Sequence, residues 1–225
     1  MSKTHLIITL DGPAGSGKST IARTISRELN IPYLDTGAMF RALALFLGDG
    51  SWELPENILA NKLNNFVFSL QGSGATACLT MNGQLLGQEI RQEETGNWAS
   101  NLGKIAVIRD FLKRAQQKIG TYHSLVAEGR DMGTVVFPKA RWKFFLEASV
   151  MERAQRRMNQ LLSFGYHPVF EQIFDELKAR DEQDRTREIA PLKPATDAIV
   201  IDTTELSQEQ VTQAIFKRIQ KTTHL

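Results

Sequence analysis

The chain has 225 residues, 42% of them hydrophobic and 23% charged, values close to globular averages that exclude a disordered, collagen-like or coiled-coil polypeptide. At roughly 150 residues per domain, that length suits one compact body with a smaller piece embedded in it or appended to it. Lys and Arg number 27 against 25 Asp and Glu, a formal net charge of +2, so no global cationic field calls for a nucleic-acid polymer or a membrane surface, and any anion site must be local.

The one cysteine, Cys78, has no partner for an internal disulfide or for a zinc site. The first apolar run, Leu6 to Leu10, ends at Asp11, far short of a leader core. No later stretch approaches the roughly 18 uncharged apolar residues of a spanning helix, and a cytoplasmic protein is expected.

In chain order, Leu6-Ile7-Ile8-Thr9-Leu10 predicts a buried strand that stops at a Gly/Pro/Gly cluster. Ile21, Ala22, Ile25 and Leu29 recur at helical spacing from Lys18 to Leu29, and Pro32 then leads into a short strand, Tyr33-Leu34-Asp35. Gly37 to Leu47 is helical again and ends at Gly48-Asp49-Gly50. The texture then changes. Phe66-Val67-Phe68, Ala77 to Met81 and Gln84-Leu85-Leu86 are short runs separated by Gln71-Gly72-Ser73-Gly74 and Asn82-Gly83, the pattern of a small antiparallel sheet with tight turns. It reads as a subdomain inserted at 63–95, with a β-ribbon edge of the main sheet as the alternative.

A helical stretch from Trp98 to Ile119 follows, then strands at Leu125 to Glu128, Lys143 to Leu146 and Ala198 to Asp202, and a closing helix from about Ser207 to Lys221. The expected architecture is an α/β P-loop fold. It has a doubly wound, parallel five-stranded sheet in a core of 1–62 and 96–225, the small inserted β subdomain, and a polar helical lid at about 150–190.

Gly12-Pro13-Ala14-Gly15-Ser16-Gly17-Lys18-Ser19 matches the P-loop pattern directly after a strand and at the start of a helix, where the motif has its mechanism. Glycines let backbone amides curl around phosphate oxygens, the helix N-terminus adds positive potential, Lys18 reaches the outer phosphates and Ser19 holds Mg²⁺. Nucleoside triphosphate is therefore the expected ligand, with Thr20 closing the segment.

A kinase of small molecules also needs a second anion pocket. Thr36 and Arg41 follow the second strand, and Arg130-Asp131, with Gly129 and Gly133 nearby, follows the third, at strand ends where open α/β sheets meet ligands. A helix cap with a solvated side chain, and a loop ion pair, are the structural alternatives for these two groups. Arg180, Asp184 and Arg187 are spaced to share one face of a helix. The acidic residues interleaved with them leave salt-bridged surface helices as the other reading, and they are wrong for binding a nucleic acid.

Gly12 to Thr20, Asp35-Thr36-Gly37-Ala38-Met39-Phe40-Arg41, Glu89-Ile90-Arg91, the run from Asp131 to Pro138, and Arg180 through Asp184 to Arg187 and Leu192 together resemble bacterial cytidylate (CMP) kinases, in order along essentially the whole chain. The resemblance implies transfer of the γ-phosphoryl of ATP to CMP or dCMP, with Mg²⁺, by a monomer whose partners are these small molecules. By matching position, Arg41 and Arg130 hold the CMP phosphate. Ser100, Arg109, Asp131 and Arg187 surround cytosine, and Arg180 and Asp184 meet the ribose. Lid arginines, with Arg153 and Arg157 as candidates, neutralise the transferring group. Two departures stand out: Gln183 lies where the family commonly has a basic residue, and Thr36 lies where Ser is frequent.

On chemistry alone, a carboxylate such as Asp131 accepts from the cytosine amine and repels the uracil carbonyl, which favours cytosine. The competing readings are a kinase of the shikimate kinase type, which has no reason for the hairpin insert, and a nucleotide-gated switch, which needs one anion pocket rather than two.

Overall fold

The computed structural model describes residues 5–221. Five strands form one sheet: β1 (Ile7–Asp11), β2 (Tyr33–Asp35), β6 (Leu125–Gly129), β7 (Trp142–Glu147) and β8 (Ile199–Asp202), in the order β2-β6-β1-β7-β8. Pairing is parallel between β2 and β6, β1 and β7, and β7 and β8. A second, antiparallel sheet holds β3 (Phe68–Gln71), β4 (Cys78–Met81) and β5 (Gln84–Leu85). This is the doubly wound α/β architecture with a small β insert that the sequence predicts. The chain divides into two compact units, residues through Ile7 with Ser26–Gly129, and Ile8–Ile25 with Arg130–Leu225.

In the first unit, α2 (Thr36–Leu47) starts directly from β2 because Asp35 caps it, its Oδ1 accepting from Ala38 N at 2.9 Å. Met39, Ala42 and Leu43 of α2 are fully buried, as are Leu34, Val126 and Ala127 on the strands. Helix α3 (Glu56–Leu63) leads into the small sheet. Its hairpin turns at Asn82 (φ 53°) and Gly83 (φ 78°), two positive φ values in succession, as the predicted Asn-Gly turn requires. Phe68 and Met81 are paired across the sheet and buried, and Phe68 meets Phe111 at 6.4 Å between ring centroids.

Two expectations change here. The first small strand begins at Phe68 rather than Phe66 and runs through Gln71. Val67 N donates to the Asn82 side chain at 2.8 Å while Asn82 N donates to Val67 O at 2.8 Å, so a side chain takes one of the two ladder bonds there, and Phe66 packs edge-on against Phe46. The helical stretch read from Trp98 to Ile119 begins earlier and is divided in two, α4 (Glu93–Leu102) and α5 (Ala106–Tyr122). Short-range bonds from Lys104 N to Asn101 O and from Ile105 N to Leu102 O close a tight turn. That turn lets Leu102 and Ile108 both be fully buried.

In the second unit, β1 and β7 are uncharged at their centres and bury Ile8, Leu10, Phe144, Phe145 and Leu146 almost completely. Helix α1 (Lys18–Leu29) adds Ile21, Ala22 and Ile25, and α8 (Gln208–Lys221) adds Val211 and Ile215. Two polar helices, α6 (Val150–Ser163) and α7 (Phe170–Thr186), pack on each other around Ala154, Ile173 and Leu177. Among the described residues, no helix is long and apolar enough to cross a membrane.

Candidate active site

Six residues, Gly12 to Gly17, join the end of β1 to the first residue of α1. Gly12 has φ 148°, and a Cβ there would collide with the carbonyl oxygen of Leu146 at the end of β7, so only glycine lets the chain leave the strand this way. Lys18 lies back over the loop: its Nζ donates to Pro13 O at 2.6 Å and to Ser16 Oγ at 3.3 Å, and the residue is buried. Ser16 Oγ donates to the same carbonyl at 3.0 Å. The first turn of α1 contains no acidic residue, which leaves the positive end of the helix uncompensated for an anion. Ser19 and Thr20 are exposed in that turn.

Beside the loop is a cavity of about 220 Å³, lined by Ser16, Gly17, Ile21, Arg156, Thr203 and Gln208 among others. Arg156 donates from Nη1 to Thr203 Oγ1 at 3.1 Å and from Nη2 to Thr203 O at 2.5 Å. Thr203 Oγ1 in turn donates to Glu147 O at 2.9 Å. Sequence reasoning assigned neither residue. Arg156 was hidden among interleaved charges, and Thr203 carries no motif; position just after a strand end was the only available signal.

The second unit also brings together most of the predicted acceptor residues. Arg130 Nε donates to Asp184 Oδ2 at 2.9 Å and Arg187 Nη1 to Asp184 Oδ1 at 3.2 Å, so one carboxylate holds two guanidinium groups. Burial opposes the charge on Asp184, but Arg130, Arg187 and, more weakly, Arg180 outweigh it and hold the carboxyl below the usual carboxylate range. Arg187 is not on the helix face that its spacing suggests. Helix α7 ends at Thr186, and Arg187 turns into extended backbone with Nε donating to Ala190 O at 2.8 Å. Asp131 is buried and opens a π-turn at Met132–Val136.

Of the two lid arginines, Arg153 is 2% exposed and its donors are committed. Nε donates to Ala148 O at 2.9 Å, Nη1 to Ala14 O of the P-loop at 3.0 Å and to Asp181 Oδ1 at 3.1 Å, and Nη2 to Asp181 Oδ2. Asp181 was not singled out by the sequence, because it is one of many acidic residues on α7. Arg157 is half-buried, with Nη1 on Gln160 at 3.0 Å.

The remaining predicted residues belong to the first unit. Thr36 Oγ1 donates to Glu128 O at 2.6 Å, joining the ends of β2 and β6. Arg41 Nη1 donates to Gln92 O at 3.3 Å and Ile90 O at 3.5 Å, close over Gly96. Arg109 is buried, with Nη1 on Gly103 O at 3.1 Å and its guanidinium 5.6 Å from the centre of the Phe40 ring. Ser100 is half-buried on α4. Arg91 adds an ion pair to Asp35 at 3.5 Å.

The comparisons agree with this chemistry. Residues 8–221 match the family model described as cytidylate kinase. A cytidylate kinase from Oleidesulfovibrio alaskensis is 52% identical over 96% of this chain and 98% of its own length. One from Thermosipho melanesiensis is 43% identical over 95% of this chain and 96% of its own. Among solved structures, an uncharacterized protein from Eubacterium ventriosum superposes with a TM-score of 0.52 at 14% identity, covering 96% of this chain and 99% of that one, a likeness of fold alone. With the family pattern matched across both units and a P-loop built at the end of β1, this chain belongs to the cytidylate kinase family.

Proposed function

We propose that the chain transfers the γ-phosphoryl of ATP to CMP or dCMP, giving ADP and the cytidine diphosphate, with the residues described above in divided roles. The carrying observation is the arginine–carboxylate cluster of Arg130, Asp184 and Arg187, a second anion-reading group besides the P-loop for which a one-pocket nucleotide switch has no use.

Gly12 to Thr20 bind the ATP phosphates through backbone amides and Lys18. The Lys18 ammonium exchanges its bond to the Pro13 carbonyl for the outer phosphates and stabilises charge there. Arg41 and Arg130 take the acceptor phosphate; Ser100, Arg109, Asp131 and Arg187 take the base; Arg180 and Asp184 take the ribose; and Thr36 orders the strand end that precedes Arg41. Arg157 is the lid cation with the fewer commitments, while Arg153 braces the lid root on the P-loop. The insert at 63–95 serves the acceptor and the lid at about 150–190 serves ATP.

Among the described residues no cluster of three or more His, Cys, Asp or Glu could hold a metal. The exposed Ser19 hydroxyl in the first turn of α1 fits a Mg²⁺ shared with the nucleotide phosphates, as this cation is usually bound. The ion supplies neutralisation of phosphate charge. The acceptor is already a phosphate oxygen, so positioning and charge stabilisation suffice without a general base or covalent intermediate. The resemblance to cytidylate kinases carries the further reading of a cytoplasmic monomer. ADP release measured with CMP, dCMP, UMP, AMP and shikimate tests the reading: CMP and dCMP should stimulate most, and equal rates with every acceptor or with none would overturn it.

A further inference from the structure

At the end of β1, one residue before the P-loop, Asp11 is 4% exposed. Its two carboxylate oxygens both accept from the loop after β6: Oδ1 from Met132 N at 2.8 Å and Oδ2 from Gly133 N at 2.7 Å. These amides follow directly on Arg130 and Asp131. From its other side the same loop is closed by its own π-turn, with Val135 N on Asp131 O at 2.9 Å and Phe137 N on Met132 O at 2.7 Å. Gly133 is tightly packed: a Cβ there would lie 3.1 Å from Thr9 Oγ1, 3.2 Å from Lys143 Cδ and 3.3 Å from Asp11 Oδ2, so these side chains would have to give by a few tenths of an ångström. The loop is thus seated on β1 and β7 by backbone contact.

We propose that Asp11 is a positioning residue for the acceptor, fixing the backbone that carries Arg130 and Asp131 in register with the P-loop that begins at its own carboxyl end. The inference rests on the assignment of Arg130 and Asp131 to CMP. A carboxylate is required because each amide needs an acceptor: an asparagine at position 11 offers one oxygen and turns an N–H donor toward the second amide, and an apolar residue leaves both amides unsatisfied. The charge is held against opposing forces. Burial pushes the Asp11 carboxyl up to about 6, the amides of Gly133 and Met132 oppose that rise, Asp131 adds to it and Lys18 counters it. A residue chosen for stability would not be a carboxylate here, whereas one chosen to hold two amides would.

Asp11→Asn should lower kcat/KM for CMP by about tenfold to a hundredfold, as expected for a small displacement of orienting groups. Most of that should lie in KM for CMP, with Kd for ATP measured without acceptor changed less than about threefold even though the unsatisfied amide lowers Tm by a few degrees. A purely structural role would move Tm and both substrates together. Equal losses for CMP and ATP, or CMP kinetics like those of the wild type, would overturn the proposal. Should Asp11→Asn not fold, Gly133→Ala, which crowds the same carboxylate from the loop side, must give the same CMP-selective loss. Asp131→Asn separates the inference from the reading beneath it. It should depress CMP turnover and narrow the CMP to UMP ratio. If it leaves that ratio unchanged, the acceptor assignment fails; if it narrows the ratio while Asp11→Asn has no effect on CMP, the positioning role alone fails.

Discussion

At the residue scale, single charged groups are held where their surroundings set their state. Lys18 opens α1, buried over the P-loop with its ammonium on main-chain oxygen rather than in the apolar core, so Lys18→Ala should leave the fold intact and lower kcat by roughly a hundredfold or more, the usual cost of a preorganised charge-stabilising donor; steady-state rates alongside a far-UV spectrum check this. Asp184 titrates below its ordinary value of 3.8 because Arg130 and Arg187 overcome its burial. Its contribution to stability is present above the unfolded value and disappears as pH falls through the lower folded value. Asp11 has the opposite sign, since its folded value is raised, so its contribution favours the fold at low pH and is lost as pH rises through about 6. Melts between pH 3 and 5 should therefore show a steeper acid loss for the wild type than for Asp184→Asn. Parallel curves would mean that the two arginines do not stabilise the Asp184 charge.

At the element scale, a salt bridge joins the two polar helices α6 and α7. Arg153 on α6 and Asp181 on α7 are paired through both carboxylate oxygens while Arg153 also holds Ala14 O. Removing one partner of a buried pair costs about 3–5 kcal/mol because it strands the other charge, whereas replacing both with apolar groups costs much less. Asp181→Asn should lower Tm by about 10 °C for a chain of this size, and the double variant Arg153→Met with Asp181→Leu should recover most of it. In the stable double variant turnover should stay within about tenfold of wild type. A loss of about a hundredfold would return Arg153 to the transferring phosphoryl group, the role that the family resemblance suggests. Other elements show why boundaries read less well than identities. The periodicity of α1 and the Asn82-Gly83 hairpin turn are local properties and are legible directly. The break at Gly103 to Ile105 exists because α4 and α5 each bury their own face, which no local pattern announces.

At the scale of the whole molecule, excision of 66–88 with a short Gly/Ser bridge tests the organisation. Phe68 and Met81 are buried and Phe68 meets Phe111 of α5, so the excision should cost several kcal/mol, about what is lost on truncating a buried aromatic side chain. On the proposed division of roles, ATP affinity should persist while CMP affinity falls. Complete unfolding in calorimetry would make the small sheet part of the core rather than an insert. The sequence by itself determined the strand–loop–helix of the P-loop, the alternation that makes a parallel sheet, the small antiparallel sheet and the family, because each depends on residue type at short range or on a pattern matched in order. Tertiary structure alone decided which carboxylate meets which guanidinium. Asp184 gathers Arg130 from 54 positions away, Asp181 rather than its acidic neighbours takes Arg153, and Asp11 reaches amides more than a hundred residues downstream. Those pairings are set by strand register and helix docking, and a charge on a helix in sequence carries no mark of the face that packing will bury.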